Sequence, residues 1–270
     1  TQKKLAASEG DKAFLEKDLL ENVDAVACVP LIARHETIGA LLIGRAGPIS
    51  DREVHLLSAI VEMTANALQR ASLTEQAVRD AADLARAYDS TLEGWSRALD
   101  LRDKETEGHT RRVTEMTLHL AKAMGLGAAE LLQVRRGALL HDIGKMGVPD
   151  SILLKPGPLT EDEWAVMRRH PTYAFEMLAP IDYLQRALDI PYCHHEWWNG
   201  SGYPRGLNGE QIPLAARIFA VVDVWDAIRF DRPYRRALTM HEARAVVEGK
   251  AGTHFDPRVV DMFRELERAS

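Results

Sequence analysis

The sequence predicts a mainly α protein, in which a small α+β piece and one long helix precede an all-helical C-terminal region. Three observations support this fold class. Short apolar, partly β-branched segments of strand length occur near the N-terminus. A heptad pattern without proline then runs from residue 57 to residue 99. From Gly108 onwards the apolar periodicity is helical, and loops interrupt it.

The composition excludes several classes of protein. The chain has 270 residues, of which 46% are hydrophobic and 27% charged, as is ordinary for one or two globular domains. Its formal charge of −6 argues against a nonspecific partner of nucleic-acid polymers or anionic membranes. No apolar run approaches the ~20 residues that span a bilayer, and two cysteines cannot build a disulfide framework. We therefore expect a soluble, cytoplasmic protein with no membrane partner and no nucleic-acid polymer partner.

Residues 1–50 contain two candidate strands, at 26–32 and 38–43, and residues 33–37 between them suit a hairpin connection. Ser50 or Asp51 can then cap a helix. Two strands and one helix cannot enclose a core, so we expect this region to be the end of a larger domain.

A long helix is predicted next, because residues 51–101 contain no proline and a single glycine, Gly94. A heptad sustained along such a helix favours a coiled-coil seam between two copies of the chain. The alternative is a surface helix that packs on its own chain. The heptad positions are Leu57, Thr64, Ala71, Val78, Ala85, Leu92 and Leu99, with Ile60, Ala67, Thr74, Ala81, Tyr88 and Trp95 three residues after each of the first six.

Helices and loops alternate in the remainder of the chain. Residues 124–127 end one helix and residues 128–140 form the next. Thr160 and Glu163 have the spacing of a capping box at the start of another helix. Residues 198–213 form a long, glycine-rich loop, and such loops inside compact domains are usually functional. Pro213 can open the helix that contains residues 218–228.

Two acidic positions first point to metal chemistry. His141-Asp142 closes an apolar helix, and Lys145 follows the histidine at a spacing that shares one helix face. Asp223 stands inside the apolar segment 218–225, where a bare carboxylate is expensive to bury. It therefore needs a cation, which is either a metal ion or a nearby arginine.

Further ligand-type residues accompany these two positions. Glu105 and His109 are spaced to share a helix face, and His170 is expected to end the helix that Thr160 opens. The side chains of His194-His195 would diverge by about 100° on a helix and would then serve different ions. Five imidazoles and three carboxylates without a thiolate favour Fe or Mn, or catalytic Zn, over structural zinc. The set exceeds what one ion can use, so a cluster of two or three metals, suited to hydrolysis at phosphorus, is predicted.

The order and spacing of these residues resemble the HD-GYP phosphodiesterases over residues 92–266. The resemblance implies an all-helical HD-type domain that hydrolyses cyclic di-GMP to pGpG and GMP with two or three non-haem iron or manganese ions. The segments that carry it are Arg102-Asp103-Lys104-Glu105-Thr106-Glu107-Gly108-His109, His141-Asp142-Ile143-Gly144-Lys145, His170, His194-His195-Glu196, Gly200-Ser201-Gly202-Tyr203-Pro204, Asp223 and Asp231-Arg232-Pro233-Tyr234-Arg235.

The same resemblance implies roles for individual residues. Lys145 would lie near the attacked phosphate, where an ammonium stabilises developing charge, and it joins His141 and Asp142 as a catalytic residue. Tyr203, Arg232 and Arg235 match positions that contact the nucleotide. Asp142 takes the bridging place among the metal ligands, and Glu105 favours three ions over two. The implied ligands are Glu105, His109, His141, Asp142, His170, His194, His195 and Asp223.

Some residues near these motifs do not fit the family pattern or carry no implied role. Trp197 and Asn199 stand where the family commonly has Arg and Asp, which removes two charges from the loop. Cys193 adjoins the histidine pair but is expected to be a small buried thiol. The histidines interpreted as surface or structural residues are His35, His55, His119, His241 and His254.

The N-terminal piece is similar to the C-terminal part of a GAF sensory domain, through residues 29–32, 38–44 and the helix at 51–70. The predicted domains are therefore a partial GAF domain at 1–70, a linker helix at 71–95 with a candidate dimer coiled coil, and the HD-GYP domain at 96–270. Because the first half of a GAF domain is absent, we expect the chain to be a fragment. Two other functions stay open: a non-catalytic cyclic dinucleotide receptor, and a phosphodiesterase for another cyclic dinucleotide such as cyclic GMP-AMP.

Overall fold

A computed structural model describes residues 23–103, 108–230 and 236–269 of the chain. The predicted fold class is confirmed: this part of the chain is mainly helical, and its strands form one two-stranded sheet. Contacts divide the chain after Ala85, so that residues 86–270 form a second compact unit. Among the described residues, no helix combines the length and apolarity needed to span a bilayer.

The elements of the described chain follow the predicted order. Short 3₁₀ helices connect several of the α-helices, at Ile143–Gly147, Asp182–Ala187 and Gly209–Gln211. The elements are β1 (Ala25–Ala33), β2 (Glu36–Arg45), α1 (Asp51–Asp103), α2 (His109–Ala123), α3 (Ala128–Leu139), α4 (Asp150–Leu153), α5 (Glu161–Met167), α6 (His170–Leu178), α7 (Asp189–Cys193), α8 (Leu214–Arg229), α9 (Met240–Gly249) and α10 (Pro257–Ala269).

The first unit contains the predicted hairpin and the start of α1. Strands β1 and β2 are antiparallel, and the turn between them places Arg34 and His35 at positive φ. Ser50 caps α1, because its backbone N–H donates to Glu53 at 2.8 Å while its hydroxyl accepts from the Glu53 N–H. Leu31 of β1 packs with Val61 of α1 in a small buried cluster.

The long helix α1 is continuous, as the heptad pattern predicts. Leu92 and Leu99 are buried in their own chain, so the alternative of intrachain packing holds for these two heptad positions. Other heptad side chains are solvent-exposed in the single chain, including Val78 at 65% and Trp95 at 42%. The dimer seam therefore stays a prediction for those positions.

Helix α8 forms the centre of the second unit. Its segment 218–222 is apolar on every face, and a helix with that pattern is stable only when it is surrounded. Helices α2, α7, α9 and α10 contact it, and Phe219 and Val222 are fully buried. Pro213 precedes this helix as its cap rather than occupying its first turn. The buried position of α8 brings its two aspartates, Asp223 and Asp226, to the candidate site.

The helix that begins after Thr160 is shorter than predicted. Its capping box is present, with the Thr160 hydroxyl accepting from the Glu163 N–H. However, α5 ends at Met167, and His170 begins α6 instead of ending α5, so that prediction was wrong. Pro171 gives the reason, because proline lacks an N–H and is tolerated only in the first turn of a helix.

Candidate metal centre

Two groups of ligand-type side chains lie in the second unit. The first ligand group is His109 from the start of α2, His141 after α3, and Asp223 from α8. The second ligand group is His170 from the start of α6 together with His194-His195 after α7. Within each group the candidate ligand atoms lie no more than 4.8 Å apart. Six predicted ligands, located on or at the ends of five helices, therefore lie in two adjacent groups.

Asp142 lies between the two ligand groups. Its Oδ2 atom is 3.0 Å from His141 Nε2, and its Oδ1 atom is 3.3 Å from His170 Nε2 and 3.8 Å from His194 Nε2. This carboxylate thus contacts both groups, as the bridging place implied for it requires. Among the predicted ligands, Glu105 lies outside the described residues.

The ligand imidazoles are oriented through their Nδ1 atoms. In three of them Nδ1 lies within hydrogen-bond distance of a main-chain carbonyl oxygen. Because a carbonyl oxygen only accepts, Nδ1 must carry the proton, and the lone pair of each Nε2 is left to face the site. These contacts join His141 to the Ala138 oxygen at 2.9 Å, His170 to the Met167 oxygen at 2.9 Å and His194 to the Ile190 oxygen at 3.0 Å.

The resulting arrangement fits a bound cation. His170 Nε2 and His194 Nε2 face each other at 3.4 Å. Since both rings place their protons on Nδ1, two lone pairs point at one another in a buried space. A cation held by both rings would turn this repulsion into ligation, so the donor chemistry of the chain fits the predicted metal cluster.

The charge states of the buried groups support ligation. Burial lowers the pKa values of His170, His194 and His195, so these rings stay neutral and able to bind a metal. Burial by itself would raise the pKa of Asp142, but the positive charge of Lys145 holds it well below its ordinary value. Asp142 is therefore an ionised carboxylate inside the site.

Two local predictions about the motifs were wrong, although the residues do converge. His141, Asp142 and Lys145 do not share one helix: α3 ends at Leu139, and Lys145 lies in the 3₁₀ helix Ile143–Gly147. The rings of His194-His195 do not diverge either, since their centroids are 4.0 Å apart. Helix α7 ends at Cys193, so the helical angle of about 100° between successive side chains does not apply to them.

Gly144 lies directly against the backbone of α6. A Cβ atom built on Gly144 would lie 1.8 Å from the carbonyl oxygen of His170 and 2.6 Å from the backbone nitrogen of Ala174. The first turn of α6 therefore packs directly on the backbone of Gly144. This close approach brings His170 beside Asp142.

Lys145 is held at the site by ion pairs with two carboxylates. Its Nζ atom lies 2.7 Å from Asp142 Oδ2 and 3.2 Å from Asp103 Oδ2 at the end of α1. Arg102, the neighbour of Asp103, donates to the carbonyl oxygens of Lys145 and Val148 at 3.0 and 2.9 Å. Asp103 is therefore a site residue that was not among those predicted from the motifs.

The Gly-Tyr-Pro loop lies against the second ligand group. The Tyr203 ring stacks on the His195 ring, with centroids 4.7 Å apart, and burial raises the pKa of its hydroxyl. A Cβ on Gly202 would lie 2.2 Å from the Trp197 nitrogen, so no side chain fits there. Arg232 and Arg235, which match the other nucleotide contacts, lie outside the described residues.

The two positions that depart from the family pattern keep this loop ordered. The Asn199 Oδ1 atom accepts from the Ser201 N–H at 3.0 Å and from its hydroxyl at 2.7 Å, a turn that needs an oxygen but no charge. Trp197 stacks on His254 at 4.4 Å between ring centroids, which makes it part of the loop's packing. The buried Glu196 accepts the N–H groups of Arg205 and Leu207.

Asp223 of α8 is less deeply buried than its apolar sequence context predicts. Its side chain is 21% exposed and lies 3.5 Å from His109 Nε2. The more deeply buried carboxylate is Asp226, three residues later, which accepts from His109 Nδ1 at 2.7 Å and from Arg112. Burial would raise the pKa of Asp226, but these hydrogen bonds lower it below its ordinary value. The one sequence signal for Asp226 is its position a turn beyond Asp223 on the same helix.

The fold and the histidine–aspartate groups define an HD-type domain, and the comparison with protein families agrees. The chain belongs to the HD domain family, whose model matches residues 94–259. The GAF domain model matches residues 1–68. Both predicted resemblances are thereby confirmed.

Particular relatives carry the comparison further. The chain is 40% identical over 221 residues to the cyclic di-GMP phosphodiesterase response regulator RpfG of Xanthomonas campestris, covering 79% of this chain and 58% of the relative. It is 36% identical over 195 residues to 3′3′-cGAMP-specific phosphodiesterase 2 of Vibrio cholerae, covering 72% and 37%. The chain thus spans less than two thirds of the length of either relative.

A solved structure confirms the fold. A cyclic GMP-AMP-specific phosphodiesterase of V. cholerae superimposes with a TM-score of 0.53 at 20% identity, covering 66% of this chain and 48% of that one. At this identity the likeness concerns the arrangement of helices alone.

Proposed function

We propose that the chain is a metal-dependent phosphodiesterase that hydrolyses cyclic di-GMP to pGpG, GMP or both. The observation that carries the proposal is the convergence of six imidazole and carboxylate ligands around the ionised Asp142. The activities of the relatives agree with it, since one of them is a cyclic di-GMP phosphodiesterase at 40% identity.

The metal site in this proposal contains the two ligand groups and Asp142, with Glu105 as a ligand of a third ion. Imidazole and carboxylate donors without thiolate suit two or three non-haem iron or manganese ions, while other divalent ions are also compatible. When bound, such ions neutralise charge on the phosphoryl oxygens and lower the pKa of water.

The side chains of the protein contribute positioning and charge. Lys145 holds an ammonium beside Asp142, where it stabilises negative charge that develops on the phosphate and leaving oxygen. Removing one such group typically lowers kcat by about 10²–10³-fold. Tyr203 packs on His195 and so fixes the orientation of that ring, with Arg232 and Arg235 proposed as phosphate contacts.

The proposed organisation has three parts: a partial GAF domain at 1–70, a linker helix at 71–95 and the HD-GYP domain at 96–270. Exposed apolar heptad positions on α1 support a homodimer through this helix. We place the enzyme in the cytoplasm, where cyclic dinucleotides act as second messengers and where its two free thiols persist.

The first experiment measures turnover directly. Protein purified without oxygen and loaded with Fe²⁺ or Mn²⁺ is incubated with cyclic di-GMP, and the products are separated by chromatography. We expect pGpG or GMP from the wild type. His141→Ala and Asp142→Ala should abolish turnover, whereas His241→Ala, an exposed histidine outside the site, should not. No product with either metal would contradict the proposal.

A second candidate substrate is cyclic GMP-AMP. The 36% identity to a 3′3′-cGAMP-specific phosphodiesterase favours testing it. Competition between the two cyclic dinucleotides at limiting enzyme concentration measures the ratio of their kcat/KM values. Tight binding of either one without turnover in metal-replete protein would instead support a receptor.

A further inference from the structure

One ligand imidazole is anchored differently from the others. His141, His170 and His194 each use Nδ1 to contact a carbonyl three or four residues earlier in the chain. His109 is the first residue of α2, so no preceding turn of that helix exists to supply an acceptor. Its Nδ1 atom instead contacts the carboxylate of Asp226, which is 117 residues away in the sequence.

Asp226 is itself held in place by a bidentate contact. Arg112 lies one turn after His109 on α2, and its Nε and Nη2 atoms donate to the two carboxylate oxygens at 2.7 and 2.9 Å. Asp226 is 4% exposed, so water competes little for these hydrogen bonds. The carboxylate is thus fixed opposite His109 Nδ1 and is ionised, which leaves it only the role of acceptor.

The two aspartates of α8 contact opposite sides of the His109 ring. Asp226 takes Nδ1 at 2.7 Å, and Asp223 Oδ1 lies 3.5 Å from Nε2. If the proton moved to Nε2, the ring would donate to Asp223, and His109 would offer no lone pair at that nitrogen. Which of the two nitrogens carries the proton therefore decides whether His109 can serve as a ligand in the first ligand group.

We propose that Asp226, held by Arg112, is a positioning residue that fixes the His109 tautomer and so sets the metal affinity of the first ligand group alone. His170 and His194 of the second ligand group have their own main-chain anchors, so that group does not depend on Asp226. This inference rests on the proposed function, because it takes the first ligand group as a metal site.

The test is a metal titration of Asp226→Asn. The amide keeps the shape of the side chain but loses the charge that favours a proton on Nδ1. Metal-free protein is titrated with Mn²⁺ under anaerobic conditions, and free Mn²⁺ is measured by its paramagnetic resonance. We expect one class of sites to weaken by about 10–100-fold, the usual effect of losing such a partner, while the remaining class is unchanged.

Asp256→Asn is the matched control. Asp256 is an equally buried carboxylate that accepts from Arg217 at 2.6 Å, and its described partners lie outside the ligand groups. This variant should lose stability without losing Mn²⁺. In addition, ¹⁵N-labelled histidine in the metal-free proteins should show His109 protonated on Nδ1 in the wild type and shifted towards Nε2 in Asp226→Asn.

Several outcomes would overturn the inference. Wild-type Mn²⁺ affinity in Asp226→Asn, or the same loss in Asp256→Asn, would contradict it. If Asp226→Asn fails to fold, Arg112→Lys keeps the positive charge but removes the fork, and unchanged Mn²⁺ binding in that variant would contradict it equally. A wild-type protein that binds no Mn²⁺ overturns the proposed function as well, so the two failures are distinguishable.

Discussion

Replacing Gly144 by alanine tests whether the contact between the His-Asp turn and α6 builds the site. The new Cβ would lie 1.8 Å from the His170 carbonyl oxygen, whereas real Cβ contacts essentially never fall below 3.0 Å. The first turn of α6 must therefore move by at least about 1.2 Å, since both close atoms belong to backbone that cannot rotate away. Gly144→Ala thus displaces His170 directly.

Two effects of this displacement can be estimated. Overpacking of this kind costs about 1–3 kcal/mol of unfolding free energy. For a unit of this size each kcal/mol lowers Tm by about 2–4 °C, so we expect a decrease of about 2–12 °C. Because an error of about 1 Å in the position of a reacting group lowers rates by about 100-fold, kcat for cyclic di-GMP should fall by a similar factor.

Gly94→Ala is the matched control for this experiment. Gly94 lies inside α1, and no atom comes within 4 Å of the position that a Cβ would take there, so alanine should stabilise the helix by about 1 kcal/mol. Thermal unfolding by circular dichroism, metal content and product chromatography are measured on both variants. A Gly144→Ala protein with wild-type Tm and turnover would refute the reasoning.

Three further predictions concern stability, thiols and pH. Leu92→Ala should lower the unfolding free energy by about 2–5 kcal/mol because the side chain is buried, while Leu84→Ala, at 54% exposure, should change it by less than about 0.5 kcal/mol; urea denaturation decides, and equal effects would contradict the packing of α1. An aromatic disulfide reagent at about pH 8 should modify the exposed Cys28 promptly but Cys193 only on unfolding, since burial raises the pKa of that thiol to about 12; two fast thiols would contradict this. In metal-free protein, burial lowers the pKa values of all three imidazoles of the second ligand group, so the unfolded state takes up protons first. Protonation of these imidazoles in the unfolded chain therefore lowers the unfolding free energy as the pH falls below about 6.5, by up to about 1.36 kcal/mol per imidazole and pH unit. A Tm that does not decrease between about pH 7.5 and 5.5 would argue against this prediction.

Much of the site could be predicted because the signals are local or ordered along the chain. The predicted capping box of Thr160 and Glu163 involves residues three positions apart, and the structure has it. Ser50, one of the two residues predicted to cap α1, does so. The ligand types could be identified from the motifs, and the family resemblance implied that these ligands lie together in one metal site. Predictions that assumed helical geometry at the motif itself were wrong, as with His170 and His194-His195, because these ligands lie where helices begin and end.

Partners of the ligands could not be predicted in the same way. The chain has 40 acidic residues. Asp226 stands one turn beyond Asp223 and Asp103 lies inside one of the motifs, but neither position indicates which side chain the carboxylate contacts. Asp226 contacts His109 across 117 positions, and Asp103 contacts Lys145 across 42. Such pairings depend on which helices pack together and at what rotation, and no local pattern encodes that.

The sequence by itself determined the mainly helical class, the two family resemblances and the chemical types of the ligands, because periodicity, capping and donor chemistry are properties of short segments. Only the tertiary structure decided that the ligands form two groups on either side of Asp142. It also decided which nitrogen of each imidazole faces the site, since a ring's hydrogen-bond partner fixes its tautomer and that partner is chosen by packing.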